Sequence, residues 1–241
     1  MMTERSLPTS FPALDAMRKS IVLLFVTASL LGSHSCHKPS VQEEEKKTVF
    51  PEAVDLGLSV KWASLNVGAR TPQEYGYYVS WGETAPKDVA YTPETYQLGG
   101  GKFGQVTKYL GAEDNKYRLE LEDDIAYKEY GRLWRTPTRA ELEELLDASF
   151  LLRRVVKEEG VWGVRITSLK TGNSIFLPAA GRKEGHLIGV DHEGFYWSSE
   201  VTSWGYPANL LRISVSLDRD RDVLLMKSLP RHVGASVRAV Q

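Results

Sequence analysis

The stretch 131–146 constrains the fold most strongly, because it contains the signals that end one helix and begin another. Thr138 followed by Glu141 three residues later is the pattern of a capping box, in which each side chain accepts a hydrogen bond from the other's backbone N–H. A helix is therefore predicted to begin after Thr138. Its apolar stripe, at the spacing of one helical face, consists of Leu142, Leu145 and Leu146.

A second helix is predicted just upstream, over roughly residues 121–130. Acidic residues crowd its first turn, where they complement the helix dipole. Gly131 is predicted to close it, since glycine readily adopts the positive φ that follows a last helical turn. Between the two helices Pro137 keeps Thr136 extended. Trp134 is predicted to anchor this link in a core because of its large apolar surface.

The amino-terminal segment has the features of an export signal. A basic run, 17–20, precedes an apolar run, 21–32, that is too short to cross a bilayer comfortably. Residues 1–35 are therefore predicted to be a signal peptide. Met17 is an alternative start of translation. Residues 1–16 would then not belong to the protein.

A lipid anchor is predicted directly after the signal peptide. Cys36, the one cysteine of the chain, stands where bacterial lipoprotein precursors carry the cysteine that is lipidated. A stray cysteine beside an ordinary signal-peptidase site is the alternative. Residues 36–50 are polar and predict a flexible tether. We expect attachment to the outer membrane, and the acidic cluster 43–45 leaves periplasmic and outer-face display both open.

Composition indicates an ordinary globular protein rather than a nucleic-acid-binding one. The 241 residues are 42% hydrophobic and 25% charged, with a formal net charge of −1. A nucleic-acid partner would normally require a basic face, which this balance does not favour. We expect a monomer whose partners are the membrane, through the anchor, and an extracellular ligand.

Strand-like runs lie on both sides of the two predicted helices. The alternating or β-rich runs are 54–67, 75–83, 161–168, 174–177, 210–217, 223–229 and 234–240. The runs 161–168 and 174–177 predict a hairpin, whereas 85–115 and 178–194 are rich in glycine and predict loops. The aromatic run 75–83 offers either a sugar-stacking platform or core packing, and core packing is the more common use.

No motif for catalysis or metal binding is recognisable. The chain has no Gly-x-Ser-x-Gly nucleophile elbow. The loop residues His186, Asp191, His192 and Glu193 lack the fixed spacing of a zinc site, so they are interpreted as solvated. The run Asp218–Asp222 lacks the glycine and the glutamate of a calcium loop, and we interpret it as a hairpin tip. We therefore expect no cofactor and no metal.

Six motifs occur in a recognisable order, at 54–63, 77–83, 134–138, 172–181, 196–199 and 234–238. Together they resemble the Fibrobacter-type major paralogous domain, which is found on exported lipoproteins of gut bacteria, over nearly all of residues 51–241. The resemblance implies an α+β domain of C-type-lectin-like fold, with small twisted antiparallel sheets, two flanking helices and paired first and last strands. The calcium-binding triplets of sugar-binding lectins are not found in the chain, and Ala239 stands where the family commonly has proline.

The segment between the last two motifs carries the candidate ligand-binding side chains, of types that dominate recognition surfaces. They are Trp204, Tyr206, Asn209, Arg212, Arg219, Arg221 and His232. The resemblance supports this choice, since similar lectin-like domains in retroelement-diversified proteins vary this carboxyl-terminal region. The alternative is that Trp204 and Tyr206 merely cover the core. We expect a binding module for a protein or a glycan, without catalysis; an exported hydrolase with an unrecognised site and a structural envelope protein are the alternatives.

Overall fold

A computed structural model describes residues 48–215 and 223–241. These residues form an α+β structure, with two short helices and ten strands arranged in three sheets. The predicted signal peptide, Cys36, most of the tether, and the run Asp218–Asp222 with Arg219 and Arg221 lie outside the described residues. Within the described part, no helix has both the length and the apolar character needed to cross a bilayer.

The capping box is confirmed. Helix α2, Arg139–Glu144, begins where the Thr138 side chain accepts from the Glu141 N–H, while the Glu141 carboxylate accepts from the Thr138 N–H. Leu142 and Leu145 are fully buried. The apolar stripe of α2 therefore faces the core.

The upstream helix is shorter than predicted. Its first residues, Leu121–Asp123, form a 3-10 turn, and helix α1 spans only Ile125–Tyr130. The reason is Asp124, whose buried carboxylate caps α1 and also accepts two hydrogen bonds from Thr136, at 2.8 Å and 2.7 Å. Burial raises the pKa of Asp124, and these hydrogen bonds oppose that rise. Gly131, with φ of 80°, ends the helix as predicted.

Ten strands pair into three sheets. In chain order they are β1 Ala53–Val54, β2 Trp62–Ala63, β3 Leu151–Glu158, β4 Val161–Ser168, β5 Ser174–Pro178, β6 Ala180–Glu184, β7 His186–Val190, β8 Glu193–Val201, β9 Pro207–Ser214 and β10 Leu224–Pro230. The sheet orders are β1-β2, β3-β4-β5 and β10-β9-β8-β6-β7. Neighbours are antiparallel except β6 and β8, which run parallel.

Strands β8 and β9 lie at the centre of the domain, because core packs on both of their faces. Phe195 and Trp197 of β8 join one apolar cluster together with residues of α1. Tyr196, between them, joins a second cluster together with Leu142 and Leu145. The alternation of a strand thus sends successive large side chains into opposite halves of the core.

The aromatic run 75–83 is core packing rather than a surface platform. The indole of Trp81 donates to the carbonyl of Ser198, and the indole of Trp197 donates to the carbonyl of Val79, both at 2.8 Å. Both tryptophans are almost fully buried. The sequence motifs 77–83 and 196–199 are therefore joined by reciprocal hydrogen bonds.

The first and last segments of the domain are paired. Lys61 donates to Gln241 and Ala63 donates to Ala239 through backbone hydrogen bonds of 2.9 Å, and Gln241 donates back to Lys61. Because these residues come from opposite ends of the described chain, their pairing closes the domain.

The buried guanidinium of Arg238 reinforces this closure. It donates to the carbonyls of Ala63 and Ser64, to the carbonyl of Phe176 in β5, and to the amide oxygen of Asn66. Burial lowers the pKa of Arg238 to about 10. The side chain remains a cation at neutral pH, and its donors are satisfied largely by backbone carbonyls.

Three predicted strands are largely wrong. The run 54–67 contains only β1 and β2, because a turn begins where the Asp55 carboxylate accepts from the Gly57 N–H at 2.7 Å and Gly57 adopts a φ of 70°. The runs 75–83 and 234–240 contain isolated bridges instead of regular strands. Core contacts determine which side chains of these two runs are buried. The resulting order of apolar and polar residues resembles that of a strand.

Three strand regions were not predicted: β3, the hairpin β6–β7 and strand β8. The run 178–194, expected to be a loop, holds the hairpin β6–β7, in which Gly185 supplies the positive φ of the turn. Strand β3 was missed because its sequence, Leu-Leu-Arg-Arg-Val-Val-Lys-Glu, repeats residue types in pairs and so lacks alternation. The predicted hairpin of β4 and β5 is confirmed.

Substitutions in α2 test how far its cap and its stripe contribute to stability. Thr138→Ala should lower the free energy of unfolding by about 1 kcal/mol through the lost cap. Leu145→Ala should lower it by about 2 to 5 kcal/mol, because a fully buried side chain leaves a cavity. Chemical denaturation of both variants measures the difference, and equally small losses would contradict the packing described for α2.

Candidate functional site

The long segment 85–115 is an irregular loop, as predicted. It contains no helix and no regular strand, only isolated bridges that join Gly99 to Val106 and Gly111 to Lys116. A loop of this length in a compact domain must be ordered by side chains rather than by a backbone ladder. Three clusters of polar side chains provide that order.

The first cluster centres on Arg231, which is fully buried. Its guanidinium donates to the carbonyl of Lys108 at 2.8 Å and to the carbonyl of Tyr109. It also lies 4.9 Å from the centre of the Trp81 ring. Burial lowers the pKa of Arg231. The distal part of the loop is thus held by a cation from the carboxyl-terminal segment.

The second cluster centres on the buried carboxylate of Glu83. It accepts from the backbone N–H of Gln97 at 2.8 Å and pairs with the ammonium of Lys87 at 2.9 Å. Nearby, the hydroxyl of Tyr96 donates to the carbonyl of Trp81 at 2.8 Å. These contacts fasten the proximal part of the loop to the aromatic core.

The third cluster is ionic and partly exposed. The ammonium of Lys108 lies 2.7, 2.8 and 2.6 Å from carboxylate oxygens of Glu120, Glu122 and Asp123. Burial opposes the charged form, yet the hydrogen bonds that the ammonium donates to these carboxylates raise the pKa of Lys108 overall. Within the part of the chain that the structure describes, these carboxylates are the one acidic group spaced to hold a metal ion. The lysine occupies that position and makes the cluster a structural contact.

A tight turn after β8 packs directly on the fastened loop. Gly205, with φ of 77°, lies so close to the loop that an added Cβ would be 2.8 Å from the carbonyl oxygen of Leu110. Only glycine accommodates both this φ and this approach. The neighbouring side chains, Trp204 and Tyr206, are thereby fixed beside the loop.

A groove of about 430 Å³ lies between the loop and this turn. Its lining residues are Gly100, Gly104, Gln105, Val106, Leu110, Glu113, Trp204, Gly205 and Tyr206. The volume falls within the range of about 300 to 1,000 Å³ that is typical of ligand sites. Three of the lining residues are glycines, and the polar side chains of Gln105 and Glu113 are exposed.

Two aromatic side chains, Trp204 and Tyr206, line the groove, and two more aromatic rings lie beside Tyr206. The indole of Trp204 is 87% exposed and the ring of Phe103 is 69% exposed. The Phe103 ring lies 5.2 Å from that of Tyr206 and 6.2 Å from that of His232. Burial lowers the pKa of His232. The charges of Glu184 and Glu94 raise this pKa, whereas the charge of Lys87 lowers it. His232 is therefore a neutral packing partner near pH 7.

Two of the seven predicted site residues line this groove, Trp204 and Tyr206, and a third, His232, lies beside Tyr206. The Tyr206 hydroxyl lies 3.5 Å from Nδ1 of His232. Asn209 is only 6% exposed, and its amide donates to the carbonyls of Val201 and Glu200.

The remaining predictions for polar residues have different outcomes. Arg212 pairs with Glu193 across β9 and β8, so its charge is already engaged. Arg219 and Arg221 lie outside the described residues. Of the residues predicted to be solvated, His186, Asp191 and His192 are exposed, on β7 and the turn after it.

Sequence reasoning missed the loop side of the groove. Phe103, Gln105 and Glu113 were not predicted, because the loop has no periodic pattern from which a face could be derived. One signal was present: Phe103 stands among four glycines, from Gly99 to Gly104, where it has few neighbours to bury it.

Comparison with known proteins adds no relative to this geometry. The chain matches no protein-family model, no curated protein and no solved structure. The shape, the side chains and the charge of the groove are therefore the features that indicate its function.

Proposed function

We propose that the chain is a lipid-anchored protein of the cell envelope, whose domain binds an extracellular ligand, a protein or a glycan, without catalysing a reaction. The binding part of this proposal is supported by the groove and by the exposed indole of Trp204 that lines it. Ligand sites are typically concave and combine aromatic walls with a few polar groups. The domain acts as a monomer in this proposal.

We further propose that the fold is C-type-lectin-like. Its support is threefold: the backbone pairing of Lys61 and Ala63 with Gln241 and Ala239, the two helices packed beside small antiparallel sheets, and the long irregular loop 85–115. The resemblance of the six motifs implies the same arrangement. The proposed binding surface then lies on the long loop and on the turn that packs against it.

Exposure of Trp204 favours binding over a merely structural role. Placing a large indole in water gives up the apolar burial that the same side chain would gain in a core. A second exposed ring, Phe103, contacts Tyr206, which lines the groove. Exposed aromatic side chains that group at a concavity indicate an interaction site. Single apolar residues scattered over a surface do not.

A matched pair of exposed aromatics tests the proposal. The full-length chain is applied to an array printed with defined glycans and extracellular proteins, and Trp204→Ala should reduce retention by about tenfold or more, as for an anchoring aromatic. Phe50→Ala should retain the wild-type signal, since Phe50 is 64% exposed but contacts Tyr130, away from the groove.

Thermal melting of both variants supplies the stability control. Because both rings are largely exposed, each substitution should change stability by only about 0.5 kcal/mol. Equal retention of Trp204→Ala and wild type on every spot would reject the groove as the binding site. So would a reduction that accompanies a large loss of stability.

The anchor is tested separately. If Cys36 carries lipid, wild-type protein should partition with membranes, whereas Cys36→Ala should move to a soluble fraction. Cell fractionation of the two proteins measures this difference. Recovery of the wild type in a soluble periplasmic fraction would contradict the lipoprotein proposal and would leave the binding proposal untouched.

A further inference from the structure

We infer that the ligand of the groove is a neutral glycan chain, held by ring stacking on Trp204 and bound without calcium. The inference rests on the proposed binding function and names its ligand class.

The exposed rings suit a pyranose sugar. A pyranose has a face of C–H groups that can lie flat on an aromatic side chain, and the indole of Trp204 is 87% open to such a contact. Gly104 lines the groove, and no atom lies within 4 Å of the position that a Cβ would occupy there, so a flat ring can approach the backbone at this residue.

The polar groups of the groove match sugar hydroxyls. A hydroxyl both donates and accepts hydrogen bonds, so its ideal partners include both functions. The Gln105 carboxamide offers donors and an acceptor, and the Glu113 carboxylate offers acceptors. Both residues line the groove and both are exposed, so neither must leave a buried position to reach a ligand.

The charge of the groove favours a neutral ligand over an anionic one. Glu113 is the single charged residue among those lining it, and no lysine or arginine lines it. A phosphate, sulfate or carboxylate group would therefore meet a like charge with no compensating cation. A neutral hydroxyl meets no such penalty.

The same composition explains why calcium is not required. Calcium takes about six to eight oxygen ligands, several of which are usually carboxylates. Glu113 supplies the one carboxylate of the groove lining. Stacking and direct hydrogen bonds therefore carry the affinity.

A peptide ligand fits the groove less well. Protein hot spots place an anchoring side chain in a closed, fully desolvated pocket. Here the indole projects from the rim and is itself exposed, and the groove lies between two surface segments.

Tryptophan fluorescence of the full-length chain tests the inference. Of the six tryptophans, Trp204 is the largely exposed one, so a sugar stacked on it should change the emission of that indole. The probes are soluble oligosaccharides of glucose, galactose, mannose and N-acetylglucosamine, each titrated with and without excess EDTA. We expect at least one to give a saturable change that EDTA leaves intact.

Variants assign the signal to the groove. Trp204→Ala should abolish the fluorescence change and reduce retention on the printed glycans by about tenfold or more, as expected for a lost stacking contact. Glu113→Ala should weaken binding with the Trp204 signal preserved. Phe50→Ala should behave as wild type, because its ring lies outside the groove.

The glycan spots and the protein spots of the printed array test this inference and the proposed function separately. Retention that depends on Trp204 but occurs only on protein spots would overturn the glycan inference and support the proposed binding function. Loss of glycan retention in EDTA would also overturn the inference. Retention on glycan spots that periodate oxidation of their sugar diols abolishes would support it.

Discussion

Two guanidinium groups buried against backbone carbonyls hold the domain together. Arg238 binds the carbonyls of Ala63, Ser64 and Phe176, and so joins the first segment, β5 and the end of the domain. Arg231 binds the carbonyls of Lys108 and Tyr109 in the long loop. Burying a cation costs less when its donors have acceptors, so each arginine favours one position for the segments whose carbonyls it contacts, although Nε of Arg231 has no partner among the described residues.

This constraint connects the core to the proposed site. The carbonyls that Arg231 binds immediately precede Leu110, against which Gly205 packs with no room for a Cβ. The position of the turn that carries Trp204 is therefore set by contacts that reach back to Trp81 in the core. Rigid support reduces the conformational entropy lost on binding, which favours a preformed groove over one assembled by the ligand.

What could be predicted from the sequence was local. The capping box of Thr138 and Glu141 and the hairpin of β4 and β5 depend on residues close together in the chain, and both were predicted. Strand β3 was missed because its paired residue types hide the period of a strand. The groove could not be derived, because Arg231 and the carbonyl it binds at Tyr109 are 122 residues apart and no pattern records such a contact.

Hydrogen exchange in Arg231→Lys tests the central claim, that a core arginine positions the loop and the turn of the groove. Lysine keeps the charge but loses the two-pronged geometry of the guanidinium. We predict faster exchange at the amides of Thr107 and Gly205, which donate to Leu98 and Thr202, with exchange in β4 unchanged. Unchanged exchange at Thr107 and Gly205, or equally faster exchange throughout the domain, would contradict the claim.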